Sequence, residues 1–349
     1  EFLKDLVFHL REEKKINSHP NSLASYKIIV PDYDTDMAHV KGQEQAKRAL
    51  EIAAAGSHNI LLSGPPGAGK TMLAKAMCTI LPEMKVSESL SVTKIYSVAG
   101  LLPRNKPLVT ERPFRSPHHT ASAMALVGGG TYPKPGEISL AHRGILFLDE
   151  FAEFPRSVLE NLRQPLEDGV ISVSRVAKTL QFPAKFILVA AMNPCPCGYL
   201  NDPDRPCTCS PGNIIKYQKK ISGPLLDRID LHLEIPKLNF EKLTQEAEGE
   251  NSSSIRRHVQ KARDIQTERF KKIGILTNSE MSSRQTKDFC RLDFKVLQLL
   301  RQAVVQMNLS ARSYFRILKI ARTIADLDEE ENIRLKHVAE ALQYRPKVE

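Results

Sequence analysis

No apolar run in this 349-residue chain is long. The longest, such as Phe186 to Met192, fall far short of the roughly 20 residues that cross a bilayer as a helix, which excludes a helical membrane span. No cleavable signal pattern opens the sequence, and neither an internal repeat nor a low-complexity tract runs through it. The first residue is Glu1 in place of methionine, and the Glu-Phe start reads as a cloning scar or the interior of a longer protein with something upstream missing. What remains is an ordinary soluble composition, 42% apolar and 26% charged, enough to bury a good core in about two domains. The net charge of +10 and pI near 9.2 permit binding to nucleic acid or an acidic partner without requiring it.

The most informative segment is Gly64-Pro65-Pro66-Gly67-Ala68-Gly69-Lys70-Thr71, which follows the apolar run Asn59 to Ser63 and precedes a helical pattern from Thr71 to Leu81. Strand, glycine-rich loop and helix in that order bind nucleotide phosphates: successive backbone N–H groups turn inward, Lys70 adds a point charge at the β- and γ-phosphates, and Thr71 offers its hydroxyl to Mg²⁺. ATP and Mg²⁺ are therefore the expected ligands. Such a loop belongs with the ATP pool of the cytosol, so the chain is placed in the cytoplasm and its six cysteines are expected to be reduced or metal-bound. About 80 residues on, the strand-like Gly144 to Leu148 ends in Asp149 and Glu150. Asp149 suits the Mg²⁺ ion through its water shell, and Glu150 suits the general base that polarises an attacking water. The run Ile187 to Met192 ends at Asn193, placed either to orient that water or simply to make a turn before Pro194. Arg228 precedes the last strand-like run, as a charge offered to a neighbouring subunit's phosphate or as a local ion pair with Asp227 and Asp230.

Short apolar runs at Ile60–Leu62, Ile145–Leu148, Phe186–Ala191 and Leu231–Ile235 have the character of strands buried on both faces of a parallel sheet. They predict an α/β core over residues 38–236, after a linker or upstream remnant over 1–37. Helix-period patterns such as Val296 to Val304 and Ile317 to Ile324 predict an all-α domain over 237–349, with Glu246 to Ser254 as the flexible connection. Within the core, residues 194–212 form a loop with Cys195, Cys197, Cys207 and Cys209, four thiols within 15 residues. They match a structural Zn²⁺ site, with four reduced thiols or a redox pair as alternatives. Cys78 and Cys290 lie in helical patterns and read as core. Asp168 to Pro183 reads as a hairpin with Arg175 and Lys178 near a basic tip, either a contact for a DNA backbone or a solvated turn. His118 and His119, taken as neighbours on a strand, would face opposite ways and read as structural or DNA-facing. The basic run Ile255 to Lys272 reads as a solvated helix face.

These elements in this order resemble an AAA+ ATPase: Val40-Lys41-Gly42-Gln43 is similar to the adenine-contact segment, with Val40 and Gly42 as its contacts, and Leu309-Ser310-Ala311-Arg312 to the second sensor. The closer resemblance is to the magnesium-chelatase-like branch and its competence-associated ComM (YifB) family. It is carried by Ser97 to Pro103, Arg112 to Thr120, Gly128-Gly129-Gly130 and Pro135 to Gly144, and runs from about residue 38 to 345. The resemblance implies a P-loop NTPase core with a parallel sheet flanked by helices, then a helical lid. It implies Arg312, or Arg316 one turn on, as the contact to the γ-phosphate in the same chain, and the hairpin as a projection into the pore of a hexameric ring. It also implies a further N-terminal Lon-protease-like domain, which this sequence does not contain. The function implied is a DNA motor, a helicase or branch-migration translocase acting on single-stranded or branched DNA in recombination during natural transformation. The alternatives are a protein-remodelling motor of the chelatase type and a nucleotide-gated binding module, the last disfavoured by Glu150 and Arg228.

Overall fold

The computed structural model describes residues 3–17, 35–102, 107–130, 133–175, 178–237 and 249–346. The side chains of residues 174–179, and with them Arg175 and Lys178, lie outside that description, as do most of the linker and the start of the 246–254 connection. The chain divides into residues 1–30 and residues 31–349. In the first unit one helix, Leu3–Leu10, is described, and none of its residues is buried.

Among the described residues the second unit has nine strands: β1 Ile60–Ser63, β2 Phe114–Arg115, β3 Gly128–Gly129, β4 Lys134–Pro135, β5 Ile145–Leu148, β6 Val170–Arg175, β7 Lys178–Pro183, β8 Ile187–Met192 and β9 Leu231–Glu234. Five of them form a parallel sheet in the order β2-β5-β8-β1-β9. Strand alternation divides the core into two layers. Ile60, Leu62, Ile145, Phe147, Ile187, Val189 and Ala191 face one layer, while Leu61, Leu146, Leu148, Leu188 and Ala190 face the other. The four anticipated strands appear within a residue or so of their expected ends. β2 was not anticipated, because two residues carry no period. β6 and β7 pair antiparallel from Val170↔Pro183 to Arg175↔Lys178, the expected hairpin.

The C-terminal region is helical: Ser252–Phe270, Ser283–Phe289, Phe294–Gln306, Ala311–Leu327 and Leu335–Gln343. The first packs on core helices Glu44–Gly56 and Lys70–Ile80, and the fourth on Glu44–Gly56. Two expectations need correction. The connection does not reach Ser254, because the Asn251 side chain accepts from Ser254 N at 2.9 Å and caps the helix, with Ser252 buried behind it. The basic run is not solvated throughout. Arg263 is 5% exposed and donates to Ala54 O at 2.9 Å and Ala55 O at 3.2 Å, satisfying carbonyls that the end of helix Glu44–Gly56 leaves open.

Asp230 ties the helical region to the sheet. It is 6% exposed, accepts from Asn59 N at 3.0 Å and Arg316 Nη1 at 2.6 Å, and lies 3.6 Å from His58 Nδ1. Burial alone would raise its carboxyl, but the Arg316 guanidinium, His58 and the Asn59 N–H outweigh burial and hold it well below the usual carboxylate range. A carboxyl depressed on folding stabilises the protein above its unfolded pKa of about 4 and loses that contribution as pH falls through the folded value. Asp230→Asn leaves Arg316 unpaired and is expected to cost about 3 kcal/mol, read as a lower urea midpoint at pH 7. The deficit relative to wild type should narrow below about pH 4; an unchanged midpoint would contradict the role.

Candidate nucleotide site

β1 hands directly to the glycine loop. Gly64 N donates to Met192 O at 3.2 Å, and a Cβ at Gly64 would sit 2.2 Å from Ile235 O, so backbone passes where no side chain fits. Gly69, at φ +82°, starts helix Lys70–Ile80 from the left-handed region, which glycine enters without strain. The space around Gly67 is open. Lys70 is 8% exposed, and its ammonium donates to Gly64 O (2.6 Å), Pro65 O (2.9 Å) and Asn193 Oδ1 (3.1 Å). Burial lowers its pKa, opposed by Asp149. Gln43 Nε2 donates to Ala68 O at 2.9 Å, which places the Val40 to Gln43 segment against the loop, with Val40 buried and Gly42 at φ +60°.

Sheet order brings in the acids. β8 lies between β1 and β5, so Asn193 leaves the sheet beside Lys70, and Asp149 and Glu150 leave it one strand further on. Thr71 Oγ1 donates to Asp149 Oδ2 at 2.8 Å, and Glu150 N donates to Asp149 Oδ1 at 2.9 Å. Glu150 has φ +51°, a strained backbone for a residue with a side chain and one that tends to persist where function needs it. Its carboxylate lies 2.7 Å from His119 Nδ1. That pairing was not anticipated, nor was the Gln43 contact. His118 and His119 do not face opposite ways: β2 ends at Arg115, and in the loop beyond it their rings stand 4.1 Å apart.

The arginines lie elsewhere. Arg228 pairs with Glu167 and donates to Pro224 O at 2.6 Å, so its ion-pair partner is neither Asp227 nor Asp230. Arg312 reaches the same Glu167 at 2.6 Å, and Arg316 holds Asp230. Asn59 and Asp230 precede β1 and β9, while the glycine loop follows β1. All three arginines line one cavity at the amino edge of the sheet, and no residue from Gly64 to Thr71 lines it. Neither Arg312 nor Arg316, expected at the phosphate of the same chain, lies at the glycine loop: packing of helix Ala311–Leu327 sets both at the opposite edge.

The four cysteines of the 194–212 loop converge, with all four sulfurs within 4.8 Å of one another. For a bound nucleotide and its cation the donor chemistry fits: an open glycine loop, a buried ammonium, and the hydroxyl and carboxylate oxygens of Thr71 and Asp149 that a hard cation such as Mg²⁺ takes.

Comparison with known proteins agrees with this geometry. The family model described as magnesium chelatase, subunit ChlI, matches residues 36–243, and that of the ChlI C-terminal region matches residues 249–345. The chain belongs to the magnesium chelatase ChlI family. Within it lies the ComM/YifB group: the chain is 49% identical over 348 residues to a competence protein ComM of Haemophilus influenzae, covering 99% of this chain and 67% of that protein. It is 45% identical to an uncharacterized protein YifB of Escherichia coli, covering 89% and 60%. A magnesium-chelatase 38 kDa subunit of Rhodobacter capsulatus is 30% identical over 171 residues, 44% of this chain and 49% of that one. The chain thus spans about three fifths to two thirds of the length of its ComM and YifB relatives. The ChlI-family core is an AAA+ α/β core followed by a helical C-terminal domain.

Replacing Lys70 with Ala removes the buried ammonium of the glycine loop. Charge-assisted hydrogen bonds of this kind contribute roughly 2–3 kcal/mol, so the Kd for a non-hydrolysable ATP analogue should rise about 30- to 150-fold in a calorimetric titration. Unchanged affinity would place the nucleotide elsewhere.

Proposed function

We propose that this chain is an ATP hydrolase that works as a ring, most simply a homo-hexamer, and uses hydrolysis to move single-stranded or branched DNA as a helicase or branch-migration translocase. The observation that carries the reading is the split of charged groups between sheet edges. Phosphate-binding residues occupy the carboxyl edge and Arg228 and Arg312 the amino edge, so a head-to-tail neighbour can offer its arginines to a nucleotide that its own chain does not reach. Mg²⁺, held by Thr71 and Asp149, would neutralise charge on the β- and γ-phosphates. Lys70 binds the phosphates, Asn193 orients the attacking water, and Glu150 takes its proton, giving ADP, inorganic phosphate and a released proton. His119 fixes the Glu150 carboxylate. Arg228 and Arg312 from the adjoining chain stabilise charge on the transferred group.

DNA as substrate is supported by the net charge of +10 and by a hairpin whose last described pair is Arg175 opposite Lys178. The name of the Haemophilus relative, a competence protein, supports a role in recombination during natural transformation, and a cytoplasmic location goes with that reading. The convergent cysteines are assigned a structural Zn²⁺.

Glu150→Gln should lower kcat by about 10²- to 10⁴-fold while ATP binding persists, and wild-type hydrolysis should rise with forked DNA in a salt-sensitive way. Arg175→Glu with Lys178→Glu should remove that rise and leave basal hydrolysis. Hydrolysis that depends on Glu150 but ignores DNA would instead favour a motor acting on a protein partner.

A further inference from the structure

We propose that the four-cysteine loop, loaded with Zn²⁺, is the brace that holds the phosphate loop in its binding shape, so that metal occupancy sets nucleotide affinity. The inference rests on the assignment of the Gly64 to Thr71 loop to ATP and adds a second site that controls it. Sulfur–sulfur separations are 3.4 Å for Cys195 and Cys197, 3.5 Å for Cys197 and Cys207, and 3.7 Å for Cys195 and Cys207. A tetrahedron with Zn–S bonds of 2.3 Å has edges of roughly 3.8 Å, whereas a disulfide requires about 2.05 Å. The thiols are therefore spaced for one shared ion and not for bridges. Cys197 N also donates to Cys209 Sγ at 3.4 Å, which ties the fourth sulfur to the Cys195–Gly198 knuckle. As each Zn–S bond forms, the thiol proton passes to solvent.

Side-chain bonds hold the outer part of the loop, where Asp202 Oδ1 accepts from Asp204 N and Arg205 N, Arg205 donates to Tyr199 and Lys237 pairs with Asp204, but backbone pairing is sparse. Backbone-to-backbone bonds within residues 195–210 are Gly198 N to Cys195 O and Asp202 N to Tyr199 O, far fewer than a folded segment of that length commonly makes. Yet the loop sits directly on the nucleotide machinery. Cys195 is fully buried and two residues beyond Asn193, the partner of Lys70. Gly198, at φ +86°, approaches Pro66 so closely that a Cβ there would lie 2.6 Å from Pro66 Cδ, with Asn193 Cγ at 3.8 Å. The knuckle Cys195 to Gly198 thus touches the phosphate loop and the amide that pairs with its lysine. A crosslink through Zn²⁺ would fix both contacts, and its loss would release both.

The test uses the purified chain. Zinc is counted by mercurial release into a colorimetric chelator, and affinity for a fluorescent non-hydrolysable ATP analogue is measured in three forms: as isolated, stripped with chelator that is then removed and Mg²⁺ restored, and reloaded with Zn²⁺. The expected result is one zinc per chain, at least tenfold weaker nucleotide binding after stripping with helical content kept, and recovery with Zn²⁺ but not with more Mg²⁺. Gly198→Ala should retain zinc yet bind nucleotide at least tenfold more weakly, which separates bracing from global unfolding. Lys70→Ala should retain zinc and lose nucleotide. Absence of zinc, or affinity that ignores its removal, overturns the brace. Zinc-loaded chain that binds no nucleotide overturns the ATP assignment instead.

Discussion

The parallel direction of the five-stranded sheet is the constraint on which the site depends. When strands run the same way, every chain exit at a carboxyl end opens on one edge, where ligands of open α/β sheets gather. The glycine loop after β1, Asp149 and Glu150 after β5, Asn193 after β8 and the His119 loop after β2 all meet there, although they are far apart in sequence. The same constraint sends Asn59, Arg228 and Asp230, which precede their strands, to the other edge. No side chain of the sheet itself has to be polar for this to work, and β5 and β8 are buried throughout.

The two edges are held differently. At the carboxyl edge the pairings are between groups that nucleotide binding would rearrange: Lys70 with loop carbonyls, Thr71 with Asp149, Glu150 with His119. At the amino edge Asp230 sits in a buried network with Arg316, Asn59 and His58 that locks the helical region to the sheet. Arg228 and Arg312 stand apart from that lock, sharing the partly exposed Glu167. The Arg312–Glu167 pair is exposed on both sides and contributes little to stability, which leaves Arg312 free to change partners at low cost, whereas Arg228 is largely buried and is also held by Pro224 O.

Much of this was legible in the sequence where the signal was local. The glycine loop announces itself because its chemistry is backbone chemistry within eight residues, and the strands did so because burial on both faces demands continuous apolar runs. Asp149, Glu150 and Asn193 were legible as polar residues at the ends of such runs. Long-range placement was not legible. The edge occupied by Arg312 follows from how helix Ala311–Leu327 packs on helix Glu44–Gly56, and no spacing encodes that. The His119 to Glu150 pairing follows from β2 lying beside β5, a contact made by a strand of two residues. The abutment of Gly198 on Pro66 follows from β8 lying beside β1, another choice made by topology.

If chemistry needs the carboxyl edge of one chain and the amino edge of the next, two separately inactive chains should complement each other. The most direct measurement mixes Lys70→Ala chains, whose arginines are intact, with Arg228→Ala chains, whose phosphate loop is intact, and follows ATP hydrolysis as the ratio is varied. The account predicts little hydrolysis from either alone and a maximum at intermediate ratios. Hydrolysis that stays at the weighted sum of the two, or an Arg228→Ala chain with wild-type activity, would contradict a site shared between chains.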